Sequence, residues 1–219
     1  MNRRNFIRTG ALPACLAAAP LAAWTAAPLA RAAGRAPVIL VLGDSLSAGF
    51  GLPGGAGWVA LLEKKLAAEK IAATVVNASI SGDTTAGGLA RLPPLLAQHQ
   101  PTQVIIELGG NDALRGLPLA TARANLEAMT EAAQRAGAKV LLLGMQIPPN
   151  YGARYADEFA ALYPQVAQER KAALTPFLLA GVADAPNAAE LFQPDGIHPN
   201  AQAQAALLAN VWPALKPLL

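Results

Sequence analysis

Apolar and polar positions along this chain fall into blocks, and the period changes from block to block. Residues 37–42 form a continuous apolar run, which predicts a strand buried on both faces. Residues 58–70 have the helical period instead. Trp58, Leu61, Leu62 and Leu66 fall on one side, and Glu63, Lys64 and Glu69 on the other. Further strands are predicted at 73–77, 103–108 and 139–144, with a short fifth at 177–180. A helix is predicted at 85–98, where Pro93-Pro94 should bend or split it. Others are predicted at 119–136, with Gly137 as a natural cap, at 154–173, with a kink at Pro164, and at 200–215. Strand and helix thus alternate along the chain. That pattern predicts an α/β fold in which helices cover both faces of a parallel sheet, with the ligand at the C-terminal ends of the strands. No internal repeat and no linker divides residues 34–219, which are expected to form a single domain.

Residues 1–33 follow a different pattern. Arg3-Arg4-Asn5-Phe6-Ile7-Arg8 is a twin-arginine pair followed by two apolar residues and a base. An apolar stretch from Ala11 to Leu29 comes next, broken by Pro13, Pro20 and Pro28, and Ala30-Arg31-Ala32 offers the small residues a signal peptidase reads. The segment is read as a cleaved bacterial export signal, which places the protein in the periplasm or the medium. A retained membrane anchor is the alternative, because the stretch is about long enough to span, although the three prolines weigh against it. Leu12-Pro13-Ala14-Cys15 resembles a lipid-attachment site only faintly.

Removing this segment changes the charge. It holds four of the 17 basic residues and none of the 14 acids, so 13 bases face 14 acids in the remainder. The basic character of the whole chain therefore belongs to the signal. No basic stripe with interleaved aromatics suggests nucleic-acid binding. Cys15 is the one cysteine, so residues 34–219 contain no disulfide, no thiol nucleophile and no cysteine zinc site. With only His99 and His198, far apart in sequence, a histidine metal site is not expected, and no cofactor is implied.

The chemistry gathers at predicted strand ends. Ser45 follows the first strand in Gly43-Asp44-Ser45-Leu46-Ser47, where a nucleophile would present its oxygen to substrate; the plainer alternative is a helix-capping serine. Ser47 is a rival nucleophile, read as structural. The spacing is not the Gly-x-Ser-x-Gly elbow, which argues against the α/β-hydrolase fold. His198, in Asp195-Gly196-Ile197-His198-Pro199, is the candidate base, and Asp195 the candidate that orients it; Pro194-Asp195-Gly196 is also good turn chemistry. His99 sits in a polar link before the third strand, at the wrong edge of the sheet. Three donors are candidates for an oxyanion hole: the backbone N–H groups of Ser45 and Gly82, and the side-chain amide of Asn111 after Gly109-Gly110. Ser-Gly-Asp and Gly-Gly-Asn also form turns without any such role.

Four blocks in order, Gly43–Ser47, Asn77–Thr85, Leu108–Asp112 and Asp195–Pro199, resemble those of the SGNH, or GDSL, hydrolases. The resemblance runs from about Val38 to Pro199. Leu114-Arg115-Gly116 and Pro149-Asn150-Tyr151-Gly152 make the chain similar to the bacterial multifunctional thioesterase/lysophospholipase/arylesterase branch. It implies a flavodoxin-like three-layer α/β/α fold with a central, mainly parallel five-stranded sheet. It also implies Ser45, Asp195 and His198 as a triad, Ser45, Gly82 and Asn111 as oxyanion donors, and no metal or cofactor. The implied substrates are small acyl esters, lysophospholipids and acyl thioesters; an exported enzyme would not meet cytosolic acyl-CoA. Phe50, Leu114, Leu117, Ile147, Tyr151 and Ile197 are candidates to line an acyl groove, and residues 112–118 to move over it. A carbohydrate O-acetylesterase is a competing reading, disfavoured by the scarcity of aromatics. A non-catalytic binding protein is another, disfavoured by the lack of a phosphate-loop lysine and by the pairing of Asp195 with His198.

Overall fold

The computed structural model describes residues 36–219. The targeting segment read over 1–33 and Cys15 lie outside the described residues. Five strands form the sheet: β1 (Val38–Gly43), β2 (Thr74–Asn77), β3 (Gln103–Glu107), β4 (Lys139–Leu143) and β5 (Ala173–Thr175). They lie in the order β2-β1-β3-β4-β5, and every pairing is parallel. The apolar runs explain the centre of this order. Ile39 to Leu42 of β1 and Val104 to Ile106 of β3 have no exposed surface, as strands covered on both faces require. The shorter, partly exposed β2 and β5 take the two edges.

Eight helices occur among the described residues. The long ones are α2 (Trp58–Ala68), α3 (Thr85–His99), α5 (Leu119–Arg135), α6 (Ala153–Arg170) and α8 (Gln204–Leu215). The single turns are α1 (Ser45–Ala48), α4 (Gly110–Leu114) and α7 (Ala188–Leu191). Helices α3, α5 and α6 pack in sequence to form one layer, and α2 with α8 forms the other. The helix stripes read from the sequence account for this. Trp58, Leu62 and Leu66 of α2 are buried, as are Leu126, Met129 and Ala133 of α5.

Three expectations are corrected. The fifth strand is Ala173–Thr175, not 177–180, which is a turn. Helix α6 stops early, at Arg170, because Lys171 adopts a left-handed conformation with φ 52°, and the next residues run extended beside Leu141–Leu143. Leu178 N–H then bonds back to the Gly144 carbonyl, closing the chain beyond the strand into a turn. The second correction concerns Pro93-Pro94, which neither ends nor splits α3. Both prolines face solvent, so water can satisfy the carbonyls they leave unbonded. The last helix also starts later than expected, at Gln204 rather than 200.

Strand order reverses between β1 and β3, with β2 added on one side of β1 and β3 on the other. The C-terminal ends of β1 and β3, where crevices form in such sheets, lead into α1 and α4. Because Leu40 sits fully buried in β1, Leu40→Ala should destabilise the fold by about 3 kcal/mol. Urea unfolding measures this, and a loss below about 1 kcal/mol would mean that the sheet centre closes over the cavity.

Candidate active site

Ser45 opens α1 directly after β1. The turn is tight because Gly43 leaves no room for a side chain: a Cβ there would stand 2.7 Å from Ser47 Cβ and 2.8 Å from Glu107 Oε2. Asp44 caps the helix, its Oδ1 accepting from Leu46 N–H at 3.0 Å. Ser47 is buried, and its hydroxyl donates to Glu107 Oε2 at 2.8 Å. It faces the interior, away from any ligand, so the structural reading of Ser47 holds and Ser45 is left as the presented hydroxyl.

His198 comes from the other end of the chain. Its Nε2 lies 2.8 Å from Ser45 Oγ, and its Nδ1 lies 2.6 Å from Asp195 Oδ2. With Nδ1–H given to the carboxylate, the Nε2 lone pair faces the serine hydroxyl. Asp195 is held by the loop it belongs to: Oδ1 accepts the N–H groups of Ile197 at 2.9 Å and His198 at 3.0 Å. Those backbone bonds, with the ring contact, pull its carboxyl down to about 2. It therefore stays charged until the pH falls well below the ordinary range for aspartate.

The histidine loop is tied to the rest of the site. Gln193 N–H bonds the His198 carbonyl at 2.8 Å, and its Nε2 donates to the Phe50 carbonyl at 2.8 Å. The Phe50 ring packs on the imidazole with centroids 4.6 Å apart. Buried Gln204 joins three elements, accepting from Trp58 N–H at 3.0 Å while donating to the Pro199 and Asn200 carbonyls. His99 ends α3, before the N-terminal end of β3, and so lies at the other edge of the sheet.

Gly82 and Asn111 occupy the neighbouring strand ends. Gly82 has φ 79°, a left-handed conformation natural to glycine, and its carbonyl accepts from Arg115 at 2.8 Å. Asn111 lies in α4, whose seat is fixed by buried Asp112 accepting from Thr85 N–H at 2.8 Å and Thr85 Oγ1 at 2.6 Å. Asn111 Nδ2 donates to Asp44 Oδ2 at 2.9 Å. An amide nitrogen has two hydrogens, so one remains for a ligand.

The six groove candidates divide. Phe50, Leu117, Tyr151 and Ile197 are exposed, Leu114 is partly buried, and Ile147 belongs to the core at 8% exposure. Ile147 therefore has little surface to offer a ligand. Ile80, 50% exposed, was not among the sequence candidates. An isoleucine beside Gly82 in a polar turn was the signal available. Arg115, Gln193 and Gln204 were also missed as supports of the site. Polar residues of this kind carry no local signature, since their partners are distant in sequence.

A hydroxyl hydrogen-bonded to an imidazole, itself oriented by a carboxylate, is the arrangement that activates serine as a nucleophile. Gly43→Ala should cost about 1–3 kcal/mol in unfolding free energy. It should also slow labelling of Ser45 by a fluorophosphonate probe. Unaltered labelling would show that the turn tolerates a side chain there.

A family model described as GDSL-like Lipase/Acylhydrolase family matches residues 41–206. Esterase TesA of Pseudomonas aeruginosa is 57% identical over 184 residues, covering 84% of this chain and 90% of that protein. Thioesterase 1/protease 1/lysophospholipase L1 of Escherichia coli K12 is 44% identical over 187 residues, covering 85% and 87%. A crystal structure of TesA superposes with a TM-score of 0.80 at 57% identity, over 83% of this chain and 99% of that one. The matched span includes Ser45, Gly82, Asn111 and His198. The chain belongs to the GDSL-like lipase/acylhydrolase family, an SGNH hydrolase whose chemistry is the hydrolysis of acyl esters.

Proposed function

We propose that this enzyme cleaves carboxylic acyl esters through a covalent acyl-enzyme on Ser45. The observation that carries the reading is the continuous chain from Ser45 Oγ to His198 Nε2 at 2.8 Å and from His198 Nδ1 to Asp195 Oδ2 at 2.6 Å. His198 takes the serine proton as Oγ attacks the ester carbonyl, and returns it to the leaving alcohol. Asp195 holds the imidazole in the productive tautomer and stabilises its charged form. The N–H groups of Ser45 and Gly82 and the free hydrogen of Asn111 receive the developing oxyanion. Water then attacks the acyl-enzyme by the reverse proton route.

Phe50, Ile80, Leu117 and Tyr151 are exposed in segments that follow the C-terminal ends of β1, β2, β3 and β4, and Ile197 is exposed beside His198. An apolar rim supports an acyl chain longer than acetyl, and the relatives named esterase and thioesterase/lysophospholipase support aryl esters, lysophospholipids and thioesters as the range. The sequence of residues 1–33 supports export, and so work on esters met outside the cytoplasm, in the periplasm or beyond.

Hydrolysis of p-nitrophenyl esters from acetate to decanoate tests the reading. Wild-type turnover should persist beyond acetyl and vanish in Ser45→Ala. A sharp fall after acetyl would favour an acetylesterase, and survival of activity in the mutant would remove Ser45 as nucleophile. Because Asp195 is held at about 2, it does not titrate in the working range. Asp44 is raised to about 6, chiefly by burial, against hydrogen bonds from Leu46, Glu107 and Asn111. Activity should therefore rise as the pH climbs through about 6, where the Asp44 carboxyl gives up its proton and can orient the Asn111 amide. A flat profile through that range would count against a role for the Asp44 charge. Asp195→Asn should lower kcat by up to about 10⁴-fold by favouring the wrong tautomer; near-normal turnover would leave a Ser–His dyad.

A further inference from the structure

Glu107 is the last residue of β3, an acid at the end of an otherwise apolar strand, and it has no exposed surface. The reaction as described does not use it. Sheet register sets it beside Gly43, immediately under the Ser45 turn. Its Oε2 accepts from Asp44 N–H at 3.2 Å and from Ser47 Oγ at 2.8 Å. Its Oε1 is buried with no donor facing it. The Glu107 and Asp44 carboxyls are also close enough to act on each other electrostatically. Asp44 in turn accepts from Asn111 Nδ2 through Oδ2. An unbroken chain of polar contacts therefore runs from a buried acid to the amide of the candidate oxyanion hole.

We propose that Glu107 is a positioning residue for ester hydrolysis, acting through the Asp44 carboxylate to hold the Asn111 side chain at the oxyanion. The inference rests on the serine ester hydrolase reading. Two carboxyls this close in a buried site hold a proton between them, because two like charges near each other do not both survive desolvation. Burial, and then the charge of Asp44, push Glu107 well above the carboxylate range, while Asp44 rises only to about 6. The proton therefore sits with Glu107 and the charge with Asp44, where Leu46 N–H and Asn111 Nδ2 meet it.

The groups facing the pair agree with this assignment. His198 acts on Asp44 as a positive charge when protonated. Tyr163, from α6, is buried close to both acids, and its hydroxyl donates to the Leu108 carbonyl at 3.0 Å. Asp112, from α4, also acts on Tyr163, and its oxygens are taken by Thr85. The arrangement solves an electrostatic problem. A bare Asp44 charge behind Asn111 would oppose the negative oxyanion forming in front of it. Glu107, accepting the Asp44 backbone N–H, fixes where that charge sits while leaving Asp44 anionic to orient the amide.

The test compares Glu107→Leu and Glu107→Gln with wild type, each alone and in an Asn111→Ala background. It measures kcat and KM on p-nitrophenyl butyrate and Tm by circular dichroism. Glu107→Leu should lower kcat by about 30- to 100-fold with KM within about threefold, since it loosens an oxyanion donor. Glu107→Gln can donate to Asp44 through its amide and accept through its oxygen, so it should keep at least about a third of kcat. In the Asn111→Ala background Glu107→Leu should cost less than about threefold, because the group it acts through is gone. Equal losses in both backgrounds would overturn the proposal, as would a Gln variant as damaged as Leu, or a folded Leu variant with native kcat. If Glu107→Leu does not fold, Glu107→Asp, which withdraws the carboxyl by one methylene, carries the same comparison by the same criteria. A wild type that turns over no ester would instead sink the hydrolase reading and the inference with it.

Discussion

The parallel pairing of β1 with β3 is the constraint on which the site depends. It aligns Gly43 with Glu107, so the chain leaves both strands at the same level. One exit becomes the Ser45 turn and the other the α4 turn that holds Asn111. Both strands are covered on both faces, so a slip of register would push buried side chains to the wrong layer and leave ladder bonds unmade. The cost of that slip protects the geometry of the site. Neither turn needs to be stable by itself, because each is seated on a strand end the core has already fixed.

The third component is held differently. His198 and Asp195 lie on a loop, about 150 residues from Ser45 along the chain, outside the five-stranded sheet and closed at its base by one antiparallel bridge between Phe192 and Pro199. Their placement comes from a local turn, in which Asp195 collects the N–H groups of Ile197 and His198, and from polar ties outward through Gln193 and Gln204. Ring contact with Phe50 supports the imidazole from the side. The ends of a rigid sheet thus carry Ser45, Gly82 and Asn111, and a braced loop carries His198. In the proposed reaction that division suits His198 as proton carrier, which needs a fixed orientation but a short excursion during each cycle.

Much of this was legible along the chain. Continuous apolar runs identified β1 and β3 because a strand covered on both faces has no polar side to show. Ser45, Asn111 and the Asp195–His198 pair stood out because reactive residue types followed predicted strand ends. Other features were not legible. The short β5 was misplaced because Ala-Leu-Thr carries no pattern of its own and is a strand only by pairing with β4. Pro93-Pro94 looked like a helix break because the sequence does not say that both prolines face water.

What the sequence determined by itself was local: the periods that make strands and helices, the glycine turns, and the kinds of chemistry on offer. Tertiary structure decided which groups meet. Ser45 touches His198, and Glu107 comes to lie beneath the nucleophile turn, because packing the sheet brings together residues that chain order keeps far apart. Ile147, apolar and in a promising loop, was drawn into the core, whereas Ile80 stayed outside. The physical reason is the same throughout. Periodicity encodes which face of an element is buried, but contacts between distant elements depend on register and layer order, and those are settled only when the whole core closes.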